Sequence, residues 1–279
     1  MENIKIFFFI GFLTIIINFF FSKLGLINDK KKISQHKIFI NSSLTPPFSG
    51  GIILMIILYF FLLKGYFNYS ILFFLIFLVG FLSDINILKS PNIRFFLQIF
   101  FLIFFVSILD ISIGSIKIDF FDNLLKYKNF NIFFSAFCLL ILINGTNFID
   151  GLNTLVIGYY LLVLVFINLV INDFSYNLFS IDEFVILFSI LFFLFFLNFF
   201  EFLYLGDNGA YLISIFFGVY LINIYAENST ISPYYIMNLL WYPAYENFFS
   251  IIRKIKFKYS AFKPDNLHLH QMIYTYFER

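Results

Sequence analysis

Cysteine is nearly absent. Cys138 is the only one in 279 residues, so no intramolecular disulfide can form and the redox compartment stays open. Charge is scarce as well: Asp, Glu, Lys and Arg make up 12% of the chain against 61% hydrophobic residues, which excludes a soluble globular protein. No polar stretch is long enough to form a soluble domain, and the apolar runs do not repeat at a fixed period. The chain therefore reads as a single domain, 1–279. A mean hydropathy of +0.93 marks a polytopic membrane protein. The first run, Met1–Phe21, carries one lysine and no small-residue cleavage site, so it is expected to be a retained span rather than a cleaved signal.

What is present is a series of runs long enough to cross a bilayer, which takes about 17–25 residues each. Nine are expected, at 4–22, 49–65, 68–83, 94–110, 130–146, 153–171, 184–200, 208–225 and 231–252. The predicted fold class is thus an all-α transmembrane bundle. Lys and Arg set its orientation. The odd-numbered connections hold Lys23, Lys30, Lys31, Lys32, Lys37, Lys89, Arg94, Arg253, Lys254, Lys256, Lys258, Lys263 and Arg279. The other side holds Lys5, Lys64, Lys117, Lys126 and Lys128, a ratio of 13 to 5. The odd side is therefore expected to be cytoplasmic, with the N-terminus outside.

Five polar segments interrupt the apolar sequence: Thr45–Gly51, Gly80–Asp84, Asn144–Asn153, Gly206–Gly209 and the basic, histidine-bearing Arg253–Arg279. All five fall on odd connections. Carboxylates and amides at a membrane edge are costly to desolvate, which makes them functional-site candidates. Each also has a plainer reading. Asp207, in Leu-Gly-Asp-Asn-Gly-Ala, suits a hard cation through its carboxylate, or it is simply the N-cap of the following helix. Asp84 is a candidate acid–base group or a solvated residue at a span exit. Arg94 could bind a phosphate or serve as a positive-inside anchor. Asn147 and Asp150 offer oxygens to a metal, base or ribose, or they form an Asx-rich turn. His268 and His270 are spaced i, i+2 with no cysteine, which suits neither one helix face nor a usual zinc site. They read as phosphate contacts or as part of a basic tail drawn to anionic lipid.

In this order, the segments resemble the polyprenyl-phosphate N-acetylhexosamine-1-phosphate transferases, a family that includes the phospho-N-acetylmuramoyl-pentapeptide transferases. The resemblance runs from about Lys37 to Gln271. It is carried by Thr45-Pro-Pro-Phe-Ser-Gly-Gly51, Gly80-Phe-Leu-Ser-Asp84, Asn144-Gly-Thr-Asn-Phe-Ile-Asp-Gly-Leu-Asn153, Leu205-Gly-Asp-Asn-Gly-Ala-Tyr211 and Pro264-Asp-Asn-Leu-His-Leu-His270. It implies transfer of a sugar 1-phosphate from a UDP-sugar to a polyprenyl phosphate, yielding UMP and a polyprenyl-diphosphate sugar. UDP-N-acetylglucosamine is the expected donor and surface polysaccharide the destination. The implied cofactor is magnesium, with manganese as a substitute, held by Asp207 and Asn147. Asp84 and Asp150 are the implied catalytic carboxylates, with Asp84 acting on the lipid phosphate. Asn144, Asn153, Arg94, Arg253, His268 and His270 are the implied substrate contacts.

The expected setting is a bacterial inner membrane, with no nucleic-acid partner and with a homodimer allowed. The sequence departs from the family pattern at Ser83, where a first aspartate is usual, at Asn153 for a second Asp, and at Gln271 for a further histidine. The chain also ends soon after the histidine segment, where relatives continue into another span. The rival readings are the peptidoglycan-precursor enzyme, an inactive relative, and a transporter, which would carry its charges nearer the bilayer midplane.

Overall fold

The computed structural model describes residues 2–24, 47–63, 65–170, 181–228, 231–256 and 268–277, and among these the secondary structure is helical. In chain order the helices are α1 (Glu2–Leu24), α2 (Gly50–Leu58, extended by a π-helical turn, Tyr59–Leu63), α3 (Phe67–Asp84), α4 (Pro91–Ile108), α5 (Asp119–Leu125) and α6 (Lys128–Ile149). They are followed by α7 (Leu155–Val170), α8 (Ile181–Phe199), α9 (Gly206–Glu227), α10 (Pro233–Leu239), α11 (Trp241–Lys256) and α12 (Leu269–Phe277).

Six of these helices are long and apolar enough to span a membrane: α1, α3, α4, α6, α8 and α9. Two more apolar helices, Gly50–Leu63 and Leu155–Val170, are shorter. The ninth expected span, 231–252, is not one helix. Pro243 lacks an N–H and disfavours helical backbone at the residue before it. The helix accordingly ends at Leu239, with Leu240 as its C-cap, and restarts at Trp241, placing Pro243 in the first turn of α11, where it is tolerated. Among the described residues, the nine expected runs correspond to six helices of spanning length, two shorter ones and a broken one, and the short helix α5 lies between two of the expected runs.

Helix α9 is the hub. Its side chains are buried on nearly every face from Asn208 to Leu221, as expected of a helix that is apolar all round. It packs against α2, α3, α6 and α7, while α1 lies on α8 and α4 bridges α3 and α6. Small residues set these approaches. A Cβ on Gly80 of α3 would lie 2.6 Å from the Asn208 Cα, and one on Gly51 of α2 would lie 1.9 Å from the Asn208 side chain, so only glycine permits either contact. Large apolar side chains fill the core of the bundle, and others face outward.

Local polar contacts tie several helix ends together. Asn18 near the end of α1 accepts from Ser49 (2.8 Å) and donates to the Phe202 carbonyl (3.3 Å). Tyr204 N–H donates to the Pro47 carbonyl (2.9 Å), and Gly50 N–H returns a bond to the Tyr204 carbonyl (3.1 Å). Asn198 at the end of α8 donates to the Leu203 carbonyl (2.9 Å) and accepts from Thr154 N–H (2.5 Å). The starts of α2, α7 and α9 and the ends of α1 and α8 therefore share one end of the bundle.

Candidate active site

The start of α9 organises this end. Gly206 has φ +75°, a left-handed backbone that a side chain would strain, and a Cβ there would also lie 2.9 Å from the Asp84 carboxylate. The turn aims the first N–H groups of α9 at the end of α3. Asp84 accepts Asp207 N–H on one oxygen and Asn208 N–H on the other, both at 3.0 Å. Two orphan donors and the positive end of a helix dipole are thus met by a carboxylate from another helix.

Because Asp84 does the capping, Asp207 is not the N-cap of its own helix. Its Oδ2 instead accepts from Arg94 Nη1 (2.6 Å) and from the Ser83 hydroxyl (2.6 Å), while Arg94 also donates to Ser83 (2.5 Å). The ion pair is partly shielded, with 19% and 27% of the Arg94 and Asp207 side chains exposed. Asp207 Oδ1 accepts no hydrogen bond among the described residues. One turn along α4, Gln98 is fully buried and accepts from Asn144 Nδ2 (3.1 Å), which links this cluster to α6. Arg94 Nε is buried without a hydrogen-bond partner among the described residues.

Helix α6 delivers the second cluster. Asn144, Asn147 and Asp150 are half-buried along its last turns, and the chain then turns through Gly151 to Asn153. The Asn147 side chain has no hydrogen-bond partner among the described residues. Asn153 contributes its carbonyl to the Thr154 hydroxyl (2.5 Å), and Thr154 takes φ +68° as the turn closes. The ring of Phe148 stacks on His268 at 5.1 Å between centroids, and His268 stacks on His270 at 5.8 Å. Lys254 Nζ lies 5.6 Å from the Phe148 centroid, and the buried Arg253 guanidinium lies 5.5 Å from that of Phe249. Burial, with a smaller contribution from His268, pushes the His270 imidazole down to about 4, with Glu246 opposing.

The predicted residues therefore fall into two groups, Asp84, Arg94 and Asp207 around α9, and Asn147, Asp150, His268 and His270 at the end of α6, joined through Gln98 and Asn144. Thr45, Pro46, Lys258, Lys263 and Pro264–Leu267 lie outside the described residues. Ser83 acts as a hydrogen-bonding partner of Asp207. Gln271 is buried, and its Oε1 accepts from the backbone N–H of His268 (3.5 Å) at the start of α12.

Two further residues complete the site. Gln98 shares a face of α4 with Arg94, four residues before it. Glu246 is fully buried on α11 and accepts from His268 Nδ1 at 2.9 Å. Both are polar residues inside predicted spans, a signal that marks them once spans are scanned for interior polarity.

The donor set fits magnesium. That ion takes one or two carboxylates, waters and substrate phosphate oxygens rather than a protein cage. Asp207 offers an unspent, partly exposed carboxylate oxygen, and no group of three His, Cys, Asp or Glu side chains forms a closed metal site among the described residues.

No curated protein matches the chain. The sequence model of glycosyl transferase family 4 matches residues 66–225, the stretch from just before α3 to near the end of α9 that holds Ser83, Asp84, Arg94, Gln98, Asn144–Asn153 and Asp207. Since that match covers more than half of the 279 residues, the chain belongs to glycosyl transferase family 4, the polyprenyl-phosphate sugar-1-phosphate transferases that its motifs resemble.

Proposed function

We propose that this protein transfers N-acetylhexosamine 1-phosphate from a UDP-sugar to polyprenyl phosphate at the cytoplasmic face of a bacterial inner membrane, initiating a surface polysaccharide. The observation that carries this reading is the meeting of Asp84, Arg94 and Asp207 at the start of α9, inside the region matched by the family model. An oxygen of the lipid phosphate attacks the sugar-bearing phosphorus, and the bond from that phosphorus to the oxygen shared with the UMP phosphate breaks. UMP leaves, and a polyprenyl-diphosphate sugar remains.

Such phosphoryl transfers depend mainly on positioning and charge. Asp207 and Asn147 are the residues that would hold magnesium, which supplies Lewis-acid neutralisation of the diphosphate. Asp84 fixes the α9 turn through two N–H bonds and thereby sets the direction of the Asp207 carboxylate. Arg94, paired with Asp207, would hand its guanidinium to phosphate oxygens. The second ionisation of a phosphate monoester has a pKa of about 6, so the lipid phosphate is largely dianionic at neutral pH without a dedicated base. Asp150, Asn144 and Asn153 are assigned to the nucleotide and sugar, and Arg253, His268 and His270 to phosphates.

The test is incubation of the purified protein with radiolabelled UDP-N-acetylglucosamine, polyprenyl phosphate and magnesium. Labelled lipid and UMP are expected. Their absence, with Asp207→Ala behaving like the native chain, overturns the reading.

A further inference from the structure

Glu246 belongs to none of the polar segments that first suggested the site, yet at 0% exposure it is the most deeply buried charged side chain among the described residues. A carboxylate removed from water needs its lone pairs occupied. One oxygen accepts His268 Nδ1–H at 2.9 Å and the other accepts Leu269 N–H at 2.8 Å, so Glu246 clasps the start of α12 from α11. Helix α11 is itself fixed on α6. Asn247 donates to the Ile141 carbonyl at 3.0 Å, and the Pro243 carbonyl lies so close to Gly145 that a Cβ there would be 2.0 Å from its oxygen.

The clasp reaches the polar loop through a stack of rings. His268 lies against Phe148, which stands between Asn147 and Asp150, and His270 lies parallel to His268 at 6°. The His270 Nδ1 is 3.2 Å from the Tyr242 hydroxyl. Its Nε2 is buried with no partner among the described residues and sits 2.7 Å from where a Cβ on Gly151 would stand. Buried polar atoms are normally satisfied. An imidazole nitrogen left open against the backbone of the polar loop is a candidate contact for a ligand atom. The tautomer with its proton on Nε2 and with Nδ1 facing the Tyr242 hydroxyl would make this nitrogen a neutral donor to a phosphate or sugar oxygen.

We propose that Glu246 is a positioning residue for the transfer: it holds His268 with Nδ1 protonated and seats α12, so that His270 Nε2 is presented beside Gly151 to an oxygen of the sugar-nucleotide donor. This rests on the transferase reading above. A purely structural carboxylate would, on removal, lower stability and the amount of active protein while leaving donor KM untouched. A positioning carboxylate would weaken the donor contact itself. Glu246→Gln separates the two cleanly because it keeps the volume and the bond from Leu269 N–H, yet turns a hydrogen-bond donor toward His268 Nδ1.

The experiment uses the full chain in nanodiscs, native and as Glu246→Gln and Glu246→Asp, with UDP-N-acetylglucosamine, magnesium and polyprenyl phosphate. Kinetics are paired with diethyl pyrocarbonate modification of individual histidines, read by mass spectrometry. Glu246→Gln is expected to raise the donor KM by about tenfold or more, the equivalent of one charge-assisted hydrogen bond. Its kcat is expected to stay within about threefold, a change too small for a lost transition-state contact. Glu246→Asp recovers part of the affinity. UDP-N-acetylglucosamine slows modification of His270 in the native chain and fails to do so in Glu246→Gln.

An unchanged KM with unchanged protection overturns the proposal. A native chain that makes no labelled lipid overturns the transferase reading instead, and Glu246 is then judged on modification alone. Faster labelling of His268 and His270 in Glu246→Gln upholds the clasp, and equal labelling sinks it.

Discussion

The two ends of the helix bundle both carry polar side chains but satisfy them differently. At the end formed by α5 and the starts of α3 and α6, polar groups bond to nearby backbone. Asn131 accepts from Ile113 N–H (3.1 Å) and donates to the Ile113 and Leu125 carbonyls (2.9 and 3.0 Å). Asp122 accepts from the Ser115 hydroxyl and Ile116 N–H, which hold its carboxyl below the usual range. At the other end, polar side chains bond to side chains and backbone groups of distant helices, and atoms are left over. Arg94 Nε, Asn208 Oδ1, Ser250 Oγ and His270 Nε2 are buried side-chain atoms without partners among the described residues, and all belong to α4, α9, α11 or the start of α12. Polarity that folds a loop is fully satisfied by that loop.

The largest expected effect breaks this comparison into two opposite outcomes. Asp207→Asn is expected to cost at least ~100-fold in labelled-lipid formation, the scale of losing one preorganised electrostatic contact, with thermal stability nearly unchanged. Asn131→Ala is expected to do the reverse. It loses about 2–3 kcal/mol of stability by stranding backbone groups, while each folded molecule keeps its activity. Activity assays beside thermal unfolding in the same detergent read both. Stability loss in Asp207→Asn together with activity loss in Asn131→Ala would dissolve the distinction.

Packing separates the ends in the same way. A Cβ on Gly51 meets Asn208 Oδ1 at 1.9 Å and Gly209 N at 2.3 Å, whereas a Cβ on Gly114 meets nothing within 4 Å. Gly51→Ala is expected to destabilise by about 1–3 kcal/mol, as overpacked cores do, and to displace the α9 turn that carries Asp207. Gly114→Ala should be neutral to within experimental error. Equal melting temperatures for the two variants would show that the close approach of α2 and α9 is dispensable.

A smaller and pH-dependent difference resides in His270. Its imidazole is held down at about 4, against an ordinary 6.5 in the unfolded chain. The unfolded chain takes up this proton below about pH 6.5, and the folded chain only below about 4. The stability linked to His270 is therefore complete above 6.5 and is lost as the pH falls between the two values. His270→Asn, which can still accept from Tyr242, is expected to flatten the decline of stability between pH 6.5 and 4. An identical slope would assign the acid sensitivity elsewhere.

How much of this was legible in the sequence follows from where each group's partner lies. Asn144–Asn153 and Gly206–Gly209 stood out because clustered polar residues have no structural reason to interrupt apolar spans. The role of Asp84 was not legible, since the N–H groups it caps are 123 and 124 positions away in the chain. Gln98 and Glu246 were missed for a related reason. A single polar residue in a span looks incidental until its partner, Asn144 or His268, is brought to it by folding. The short α2 and α7 and the break at Leu240 escaped a composition-based reading because hydropathy counts apolar residues and is blind to where backbone hydrogen bonding stops.

Ser83 gives the smallest expected effect and the sharpest test of the charge balance at the α9 end. Its hydroxyl donates to Asp207 Oδ2 and accepts from Arg94 Nη1, so it spaces one carboxylate against one guanidinium without adding charge. Ser83→Asp would set two carboxylates against a single Arg94, with Asp84 next to them in the chain. Like charges this close oppose joint ionisation, while the added oxygens strengthen the attraction for a divalent cation. Since the lipid phosphate ionises near pH 6 without help, the two consequences largely offset, and activity should stay within about tenfold of the native chain. The magnesium concentration for half-maximal rate should fall, because the extra carboxylate draws the cation more strongly. A gain of several hundredfold at saturating magnesium would instead show that a carboxylate at position 83 takes part in the chemistry, and that the native chain works without one of its reacting groups.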